Sequence, residues 1–420
     1  MFRWFSLLVI AGTLTSPLLS GEHWPHWRGP NHNGTSSAVS IPTTWSQTES
    51  VLWRTPLPGP APSTPVIWGD RIFLTSADGD DLVLMCLDTR GKTLWKRKID
   101  NGNRDIRQGE SNEAAPSPTT DGTHVWSFFG TGTLTAHDFE GVELWRRNMQ
   151  KDYGTFGIYW GMAVSPLVVG DRLYLQLMHD GAQLVLALDK RSGKEIWRHE
   201  RRSNARQESR HTYASPVMYR AQGNEWLLSH GSDYITAHNL ADGAEIWRCG
   251  GLQKPDYNPF YRFVATPAVH DDLIVVPSAK GGPVLGLKPS GAKGDITDKN
   301  QFFAWKRSDQ TPDVPSPLIH DGLVYLCREN GVLICMDAAS GKEIYRKRTH
   351  DQRHRGSPVV AGNKILLTAM DGTISVIQTG REFKVLARND MQEPMAASPA
   401  IAKGTLFLRT HKALYAIGSK

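Results

Sequence analysis

The sequence predicts an all-β fold, an eight-bladed β-propeller of four-stranded antiparallel blades that is closed by its N-terminal strand. The main observation is a Ser/Thr-Pro dipeptide followed in most repeats by an apolar residue. It recurs eight times, at intervals of 53, 48, 50, 51, 50, 41 and 41 residues. Such intervals match one four-stranded propeller blade per repeat. Two further observations are a meander pattern within each repeat and a final repeat that lacks one strand. The repeated prolines are Pro65, Pro118, Pro166, Pro216, Pro267, Pro317, Pro358 and Pro399.

The third repeat shows the strand pattern of one blade most clearly. A short apolar stretch at 167–169 is followed by alternating apolar residues at 172–178, a third stretch at 184–188 and a last one around Trp197. Turns rich in Gly and Asp separate these stretches, and none of them has a helical period. Four short strands joined by such turns are typical of an antiparallel meander.

The proline of each dipeptide indicates which strand lines the central channel. Proline cannot donate a hydrogen bond to a sheet ladder, so it is tolerated at the first residue of a strand or on a free edge. The innermost strand of a propeller blade has such a free edge. The sequence therefore predicts that every Ser/Thr-Pro opens an innermost strand.

An aromatic residue recurs near the end of each repeat, on the predicted outermost strand. A large ring there can cover the neighbouring blade and bury on the order of 150–250 Å². We interpret these residues as packing between blades and not as a platform for a cofactor. They are Trp95, Trp145, Trp197, Trp247, Trp305 and Tyr345, with Leu386 at the same place in the seventh repeat.

The two chain ends are predicted to share one blade. The last repeat supplies strands only at 398–401, 405–409 and 413–417, whereas residues 51–54 have the outermost-strand pattern before the first Ser/Thr-Pro. Pairing residues 51–54 with the last strand would remove two open sheet edges.

The fifth repeat and the cysteines depart from this regular pattern. An insertion rich in Gly, Lys and Asp at 289–301 reads as a surface excursion with no chemistry of its own. Cys327 and Cys335 flank a turn, so they could form a cross-strand disulfide if the register places them opposite each other; the alternative is two buried, inert thiols.

Residues 1–20 have the pattern of a secretory signal peptide, with one basic residue, an apolar stretch and no acid. The predicted domains are this signal at 1–20, an N-terminal extension packed on the propeller at 21–50 and one propeller at 51–420. The chain is thus expected to be an exported monomer without a membrane span, periplasmic or secreted. Its formal net charge of +6 is too small to indicate nucleic acid as a partner.

Two turns carry a resemblance to a known family. Residues 187–197, ALDKRSGKEIW, and 336–345, MDAASGKEIY, resemble the tryptophan-docking repeat of pyrroloquinoline-quinone-type propellers. This group includes quinoprotein alcohol dehydrogenases and the propeller lipoprotein of the outer-membrane assembly machine. Residues 23–30, HWPHWRGP, are similar to a segment of uncharacterised exported planctomycete propellers. The resemblance implies the fold over nearly the whole mature chain.

The chain departs from what this resemblance would imply for a quinone enzyme. The alcohol dehydrogenases share a pair of adjacent cysteines against the cofactor, and this sequence has no Cys-Cys pair. Their Glu, Asn and Asp residues around calcium cannot be placed here by motif. We therefore predict no cofactor and no metal, and keep pyrroloquinoline quinone with calcium as the alternative.

Four long connections between repeats are predicted to form one face around the channel mouth, at 100–116, 149–163, 200–214 and 250–265. Loops of this length in a compact domain are usually functional or disordered, and their aromatic content argues against disorder. The residues that precede each Ser/Thr-Pro should converge there. The candidate ligand-binding residues are Glu113, Trp160, His211, Tyr213, Arg262, Asp313, His354 and Arg355.

This set of carboxylates, arginines, histidines and aromatics suits an anionic or sugar-like ligand, although for each residue taken singly loop decoration or a structural ion pair is the favoured interpretation. No motif of an enzyme active site accompanies it, so no catalytic residue is predicted. The sequence favours a non-catalytic scaffold that binds a protein or a cell-envelope polymer through its long loops. The alternatives are a pyrroloquinoline-quinone-dependent oxidoreductase and a carbohydrate- or polyanion-binding protein.

Overall fold

Eight antiparallel sheets follow one another along the chain and form the blades of a β-propeller. The structure is a computed structural model and describes residues 23–38 and 40–419. Contacts between innermost strands include one between the first and last blades, which closes the ring. The predicted fold is therefore confirmed. The signal peptide predicted at 1–20 lies outside the described residues.

Each blade runs from an innermost to an outermost strand. The strands of blades one to four are Val66–Trp68, Arg71–Asp78, Asp81–Asp88 and Thr93–Asn101; Thr119–Thr120, His124–Phe128, Thr133–Asp138 and Glu143–Asn148; Leu167–Val169, Arg172–His179, Ala182–Asp189 and Glu195–Glu200; Val217–Ala221, Asn224–Gly231, Tyr234–Asn239 and Glu245–Cys249. Those of blades five to eight are Ala268–His270, Leu273–Pro277, Val284–Leu287 and Phe303–Arg307; Leu318–His320, Leu323–Cys327, Val332–Asp337 and Glu343–Arg348; Val359–Ala361, Lys364–Thr368, Thr373–Gln378 and Val385–Asp390; Ala400–Ala402, Thr405–Arg409, Ala413–Ile417 and Val51–Pro56.

In the part of the chain that the structure describes, helical structure is confined to three short elements. They are the α-helix Met149–Tyr153 and the 3₁₀ turns Gln207–Arg210 and Asn300–Phe302. Within residues 23–38 and 40–419, no helix has the length and apolar character needed to span a membrane.

The hydrophobic core lies between adjacent blades and not on the central axis. Among the described residues, seven clusters of buried side chains each join neighbouring blades, and the largest joins blades seven, eight and one. Every innermost strand begins directly after its Ser/Thr-Pro, as the sequence predicts.

Five of the tryptophans on outermost strands lock their blade to the next one. The indole N–H donates to a backbone carbonyl of the following blade, and the ring lies against a turn glycine there. These bonds are Trp53 to Thr89 (2.8 Å), Trp95 to Phe139 (2.8 Å), Trp145 to Lys190 (3.0 Å), Trp197 to Leu240 (3.0 Å) and Trp305 to Ala338 (2.9 Å). The interpretation of these residues as packing between blades is confirmed.

The insertion in blade five replaces the turn on which Trp247 would dock. The Trp247 indole N–H has no partner among the described residues. Instead, Gly294–Asp295 pairs in parallel with the outermost strand of blade four and makes it five-stranded. Ile296 is fully buried against the same blade. The segment 289–301 lies at the surface, as the sequence predicts, and it also covers the edge of blade four.

The N-terminal strand completes blade eight, as predicted. Val51–Pro56 pairs antiparallel with Ala413–Ile417, with Trp53 opposite Ala416. A fully buried arginine, Arg409, adds a second tie between the last blade and the first. Its Nη1 donates to the Thr75 carbonyl at 2.6 Å.

Residues 23–36, which we call the N-terminal plug, cross the channel at the end opposite the long loops. Trp24 and Ile67 of blade one exchange two backbone hydrogen bonds of 2.8 Å. The Pro25 carbonyl accepts from the Thr120 N–H of blade two at 3.0 Å. The plug therefore holds the inner ends of several blades together.

Arg28 is the main polar anchor of the N-terminal plug. The side chain is buried, and burial lowers its pKa to about 9. Its Nη1 donates to the Pro358 carbonyl at 2.7 Å and its Nη2 to the Pro317 carbonyl at 2.8 Å. Both acceptors belong to the repeated Ser/Thr-Pro dipeptides, so one guanidinium ties blades six and seven to the plug. Thr35–Ser36 then pairs in parallel with the innermost strand of blade seven.

All four cysteines are free and buried. Cys335 lies opposite Tyr325 and Cys327 opposite Leu333, so the register does not place the two thiols face to face. The cross-strand disulfide that the sequence left open is therefore not formed, and the thiols pack in the core.

Candidate functional site at the channel mouth

The central chamber is the part of the channel between the N-terminal plug and the long loops. Its volume is about 180 Å³, and Trp27 of the plug forms part of its lining. Residues of the long loops line the other end. The chamber is small, with room for a few waters or a small ligand.

The wall of the central chamber is a ring of hydroxyl groups, one from each blade. In seven of the eight dipeptides, the backbone N–H of the Ser or Thr donates to the hydroxyl oxygen of the next blade, at 2.9 to 3.0 Å. Seven such bonds connect, in order, Thr64, Ser117, Ser165, Ser215, Thr266, Ser316, Ser357 and Ser398. The dipeptide thus does two things: the proline starts the strand, and the hydroxyl bonds to the neighbouring blade.

One half of the roof of the chamber is built on Glu110, in the loop at 100–116. Arg355, from the connection between blades six and seven, reaches it with a 2.5 Å contact from Nη2 to Oε2. Arg353 of the same connection bonds to the other carboxylate oxygen. Arg107 adds a third guanidinium at 3.2 Å. Three cations therefore share one carboxylate above the chamber.

The other half of the roof is built on Trp160. Its indole N–H donates to Glu208 Oε1 at 2.8 Å, and the Arg107 guanidinium lies 4.7 Å from the ring centre. Arg262 lies 3.9 Å from Glu208 and donates to Asp313 Oδ2 at 2.9 Å. A chain of polar contacts thus runs across the mouth through loops of five different blade junctions.

Four of the eight predicted residues line the chamber: Trp160, Tyr213, Arg262 and Arg355. Asp313 lies one contact behind Arg262. Tyr213 is buried and its hydroxyl accepts from the Trp160 backbone N–H at 3.2 Å. Burial also raises the pKa of Tyr213, so this group is a neutral phenol at physiological pH.

The other three predicted residues do not reach the chamber lining. Glu113 is buried and pairs with Arg104, whose Nε donates at 2.7 Å. Burial raises the pKa of this carboxyl above its ordinary value. His211 is fully buried, with Nε2 3.1 Å from Asp180 Oδ1. His354 is also fully buried and contacts the Gln352 carbonyl through Nδ1 at 2.9 Å. The sequence predicted a shared rim position for these side chains, but Glu113 and His354 turn toward their own loops and His211 turns toward Asp180 of blade three.

Sequence reasoning missed Arg107, Glu110 and Trp27 as lining residues. Arg107 and Glu110 lie in the middle of a long loop and not just before a Ser/Thr-Pro, and Trp27 precedes the first blade. The hydroxyl ring had a signal in the sequence, since every repeated proline follows Ser or Thr.

Two aromatic side chains of the long loops face solvent, and we call them the rim pair: Tyr159 and Phe260. Their exposed fractions are 55% and 49%. Both loops are bonded to the same 3₁₀ turn, Gln207–Arg210, through the Trp160 indole and through the Pro259 carbonyl, which accepts from the Ser209 N–H at 2.9 Å. The rim pair is therefore presented by fixed loops.

The described residues do not offer a donor set for a quinone with calcium. No group of three or more His, Cys, Asp or Glu side chains among residues 23–38 and 40–419 could hold a metal ion. The carboxylates closest to the chamber, Glu110, Glu208 and Asp313, are all engaged by arginines or by Trp160. A calcium ion would have to displace these contacts, so the site does not fit the group.

Comparisons with known proteins agree with this architecture. Among solved structures, a europium-containing methanol dehydrogenase is similar with a TM-score of 0.70 at 13% identity, covering 92% of this chain and 89% of that one. BamB from Moraxella catarrhalis has a TM-score of 0.62 at 15% identity, covering 85% and 94%. At these identities the likeness shows the fold alone.

Sequence similarity points to one family. The outer membrane protein assembly factor BamB of Burkholderia pseudomallei (strain K96243) is 22% identical over 352 residues, which are 83% of this chain and 81% of that protein. The family model described as "Outer membrane protein assembly factor BamB" matches residues 80–312 and 299–418. Together these matches span most of the propeller, and the chain belongs to the family described as outer membrane protein assembly factor BamB.

Proposed function

We propose that this protein is an exported, non-catalytic scaffold that holds a protein partner on its long-loop face. The observation that carries the proposal is the rim pair, Tyr159 and Phe260, exposed on loops that are fixed by hydrogen bonds. Exposed aromatics on a rigid surface are typical centres of protein interfaces. Because the loops are already ordered, binding costs little conformational entropy.

The family to which the chain belongs suggests which kind of protein the partner is. Its name is that of a factor in outer-membrane protein assembly, so we propose a component of that process as the partner and the periplasm as the location. The predicted signal peptide at 1–20 fits this location. The contacts of the N-terminal plug with blades one, two, six and seven fit our assignment of residues 21–50 as an extension of the propeller.

The two alternative functions receive less support. A quinone oxidoreductase would need free carboxylates at the chamber, and those present are paired with arginines or Trp160. A carbohydrate or polyanion site built on the predicted residues Arg262 and Trp160 would need those two side chains to be free. Both are already bonded within the roof, so their removal would lower stability as well as any binding.

The proposal is tested by photo-crosslinking in cells that contain the full chain. A photoreactive amino acid is placed at Tyr159 or Phe260, and at Leu94 or Leu144 as matched controls. The controls are apolar residues of outermost strands with exposed fractions of 39% and 44%. We expect one discrete adduct with an outer-membrane assembly component from the rim positions and none from the controls.

Equal adducts from rim and control positions would contradict the proposal, since they would show contact without a preferred face. Catalytic turnover of a small-molecule substrate by the purified protein would contradict the proposal that the scaffold is non-catalytic. Melting temperatures of all four variants should match that of the unmodified protein, because none of the four side chains belongs to the core.

A further inference from the structure

The hydroxyl ring of the central chamber is rich in hydrogen-bond donors. Each of the seven bonded hydroxyl oxygens accepts a backbone N–H from the neighbouring blade. None of these seven hydroxyls donates to a protein acceptor within the described residues. Since a hydroxyl carries one hydrogen of its own, seven O–H donors remain for whatever occupies the chamber.

Nitrogen donors add to this excess. Arg355 lines the chamber with a side chain that is only 9% exposed. Its Nε and Nη1 have no hydrogen-bond partner among the described residues, and the same is true of the Trp27 indole nitrogen. Buried N–H groups without an acceptor are costly, which indicates that an acceptor is missing from this set of residues.

The charged groups above the chamber carry a net positive charge, which favours the same kind of ligand as the free donors do. Arg107, Arg353 and Arg355 share the single carboxylate of Glu110. Arg262 is balanced separately by Asp313 and Glu208. The Glu110 cluster therefore has two more cations than anions, and burial lowers the pKa of Arg355, as expected for a cation that lacks a full set of partners.

From these three observations we infer that the central chamber binds a small oxyanion bearing a carboxylate or phosphate group. Such a group offers mainly acceptors to the hydroxyl ring and pairs with the surplus guanidinium charge. The chamber volume of about 180 Å³ limits the ligand to a small molecule. This inference concerns the channel interior and stands independently of the rim pair.

Isothermal titration calorimetry on the full mature chain tests the inference, with inorganic phosphate and succinate as the two probes and sodium chloride to match ionic strength. We expect saturable binding of at least one probe. Arg355→Gln should weaken it about tenfold, the loss of one charge-assisted contact. Arg353→Gln is the matched control: it bonds to the same Glu110, but its side chain is 55% exposed and lies outside the lining.

The two probes distinguish a phosphate from a carboxylate ligand. If Arg355→Gln does not fold, Arg355→Lys keeps the charge and removes the Nε donor, and it should weaken binding to a smaller extent. Absence of binding by the unmodified chain would overturn the inference. Equal weakening by the Arg353 and Arg355 variants would overturn it as well, because the ion would then sit on the exposed surface.

Discussion

At the scale of single residues, seven of the eight Ser/Thr-Pro dipeptides each prevent two backbone N–H groups from being left without a hydrogen-bond partner. Proline removes a backbone N–H that would face the channel without a partner. The preceding Ser or Thr supplies an acceptor for the N–H of the neighbouring blade, as Ser165 does for Ser117 at 3.0 Å. Loss of any of the seven accepting hydroxyls would leave a buried N–H unpaired.

His354 provides a residue-scale prediction about pH. Burial lowers its pKa to about 4, against an ordinary value of 6.5. The unfolded chain therefore takes up a proton near pH 6.5 that the folded chain refuses until about pH 4. Stability is full above this window and is lost as the pH falls through it, by about 1.4 kcal/mol per pH unit for one group.

We expect His354→Gln to reduce the dependence of the unfolding free energy on pH between 4 and 6.5 by that amount. Urea denaturation at a series of pH values measures it. The same substitution at His270, whose side chain is 41% exposed, controls for the loss of a histidine as such. An unchanged slope in the His354 variant would show that its ring is not held neutral by burial.

Single residues of the chamber also show which contacts could be predicted from the sequence and which could not. The repeat predicts a position near the channel mouth for the residues that precede each Ser/Thr-Pro. Four of these residues line the chamber in the structure: Trp160, Tyr213, Arg262 and Arg355. The repeat could not find Glu110, whose partner Arg353 lies 243 residues away in an irregular loop. Pairings between loops have no period, so only the folded chain reveals them.

At the scale of elements, the blade lock couples a tryptophan to a glycine in the left-handed conformation. Gly243 has φ +77°, and a Cβ added there would lie 2.4 Å from the Trp197 ring. The tryptophans were predictable because they recur at fixed places. The missing bond of Trp247 was not predictable from the sequence. It results from the insertion in blade five, which displaces the docking turn and has no counterpart in the other repeats.

Gly243→Ala should destabilise the protein by more than the strain of its backbone alone. Gly223→Ala is the matched control, because Gly223 has a similar φ of +73° and open space around it. We expect the control to cost about 1–2 kcal/mol, as for any residue placed in that conformation. The Gly243 variant should cost more by the loss of the tryptophan contact, measured by denaturant unfolding. Equal values would mean that this lock contributes nothing.

At the scale of the whole molecule, the ring is closed from both of its faces. The N-terminal plug joins blades at one end of the channel, and the roof joins their loops at the other. Between them, the strand Val51–Pro56 completes the last blade. A closed ring holds the long loops at fixed positions, and the proposed partner surface depends on that.

Closure by the N-terminal strand is the central claim, and hydrogen exchange followed by mass spectrometry tests it most directly. Peptides that cover Val51–Pro56 and Ala413–Ile417 should exchange as slowly as the outer strands of the other blades, since all open in one cooperative unit. Rapid exchange over Val51–Pro56, with protection elsewhere, would show an open ring and contradict the account.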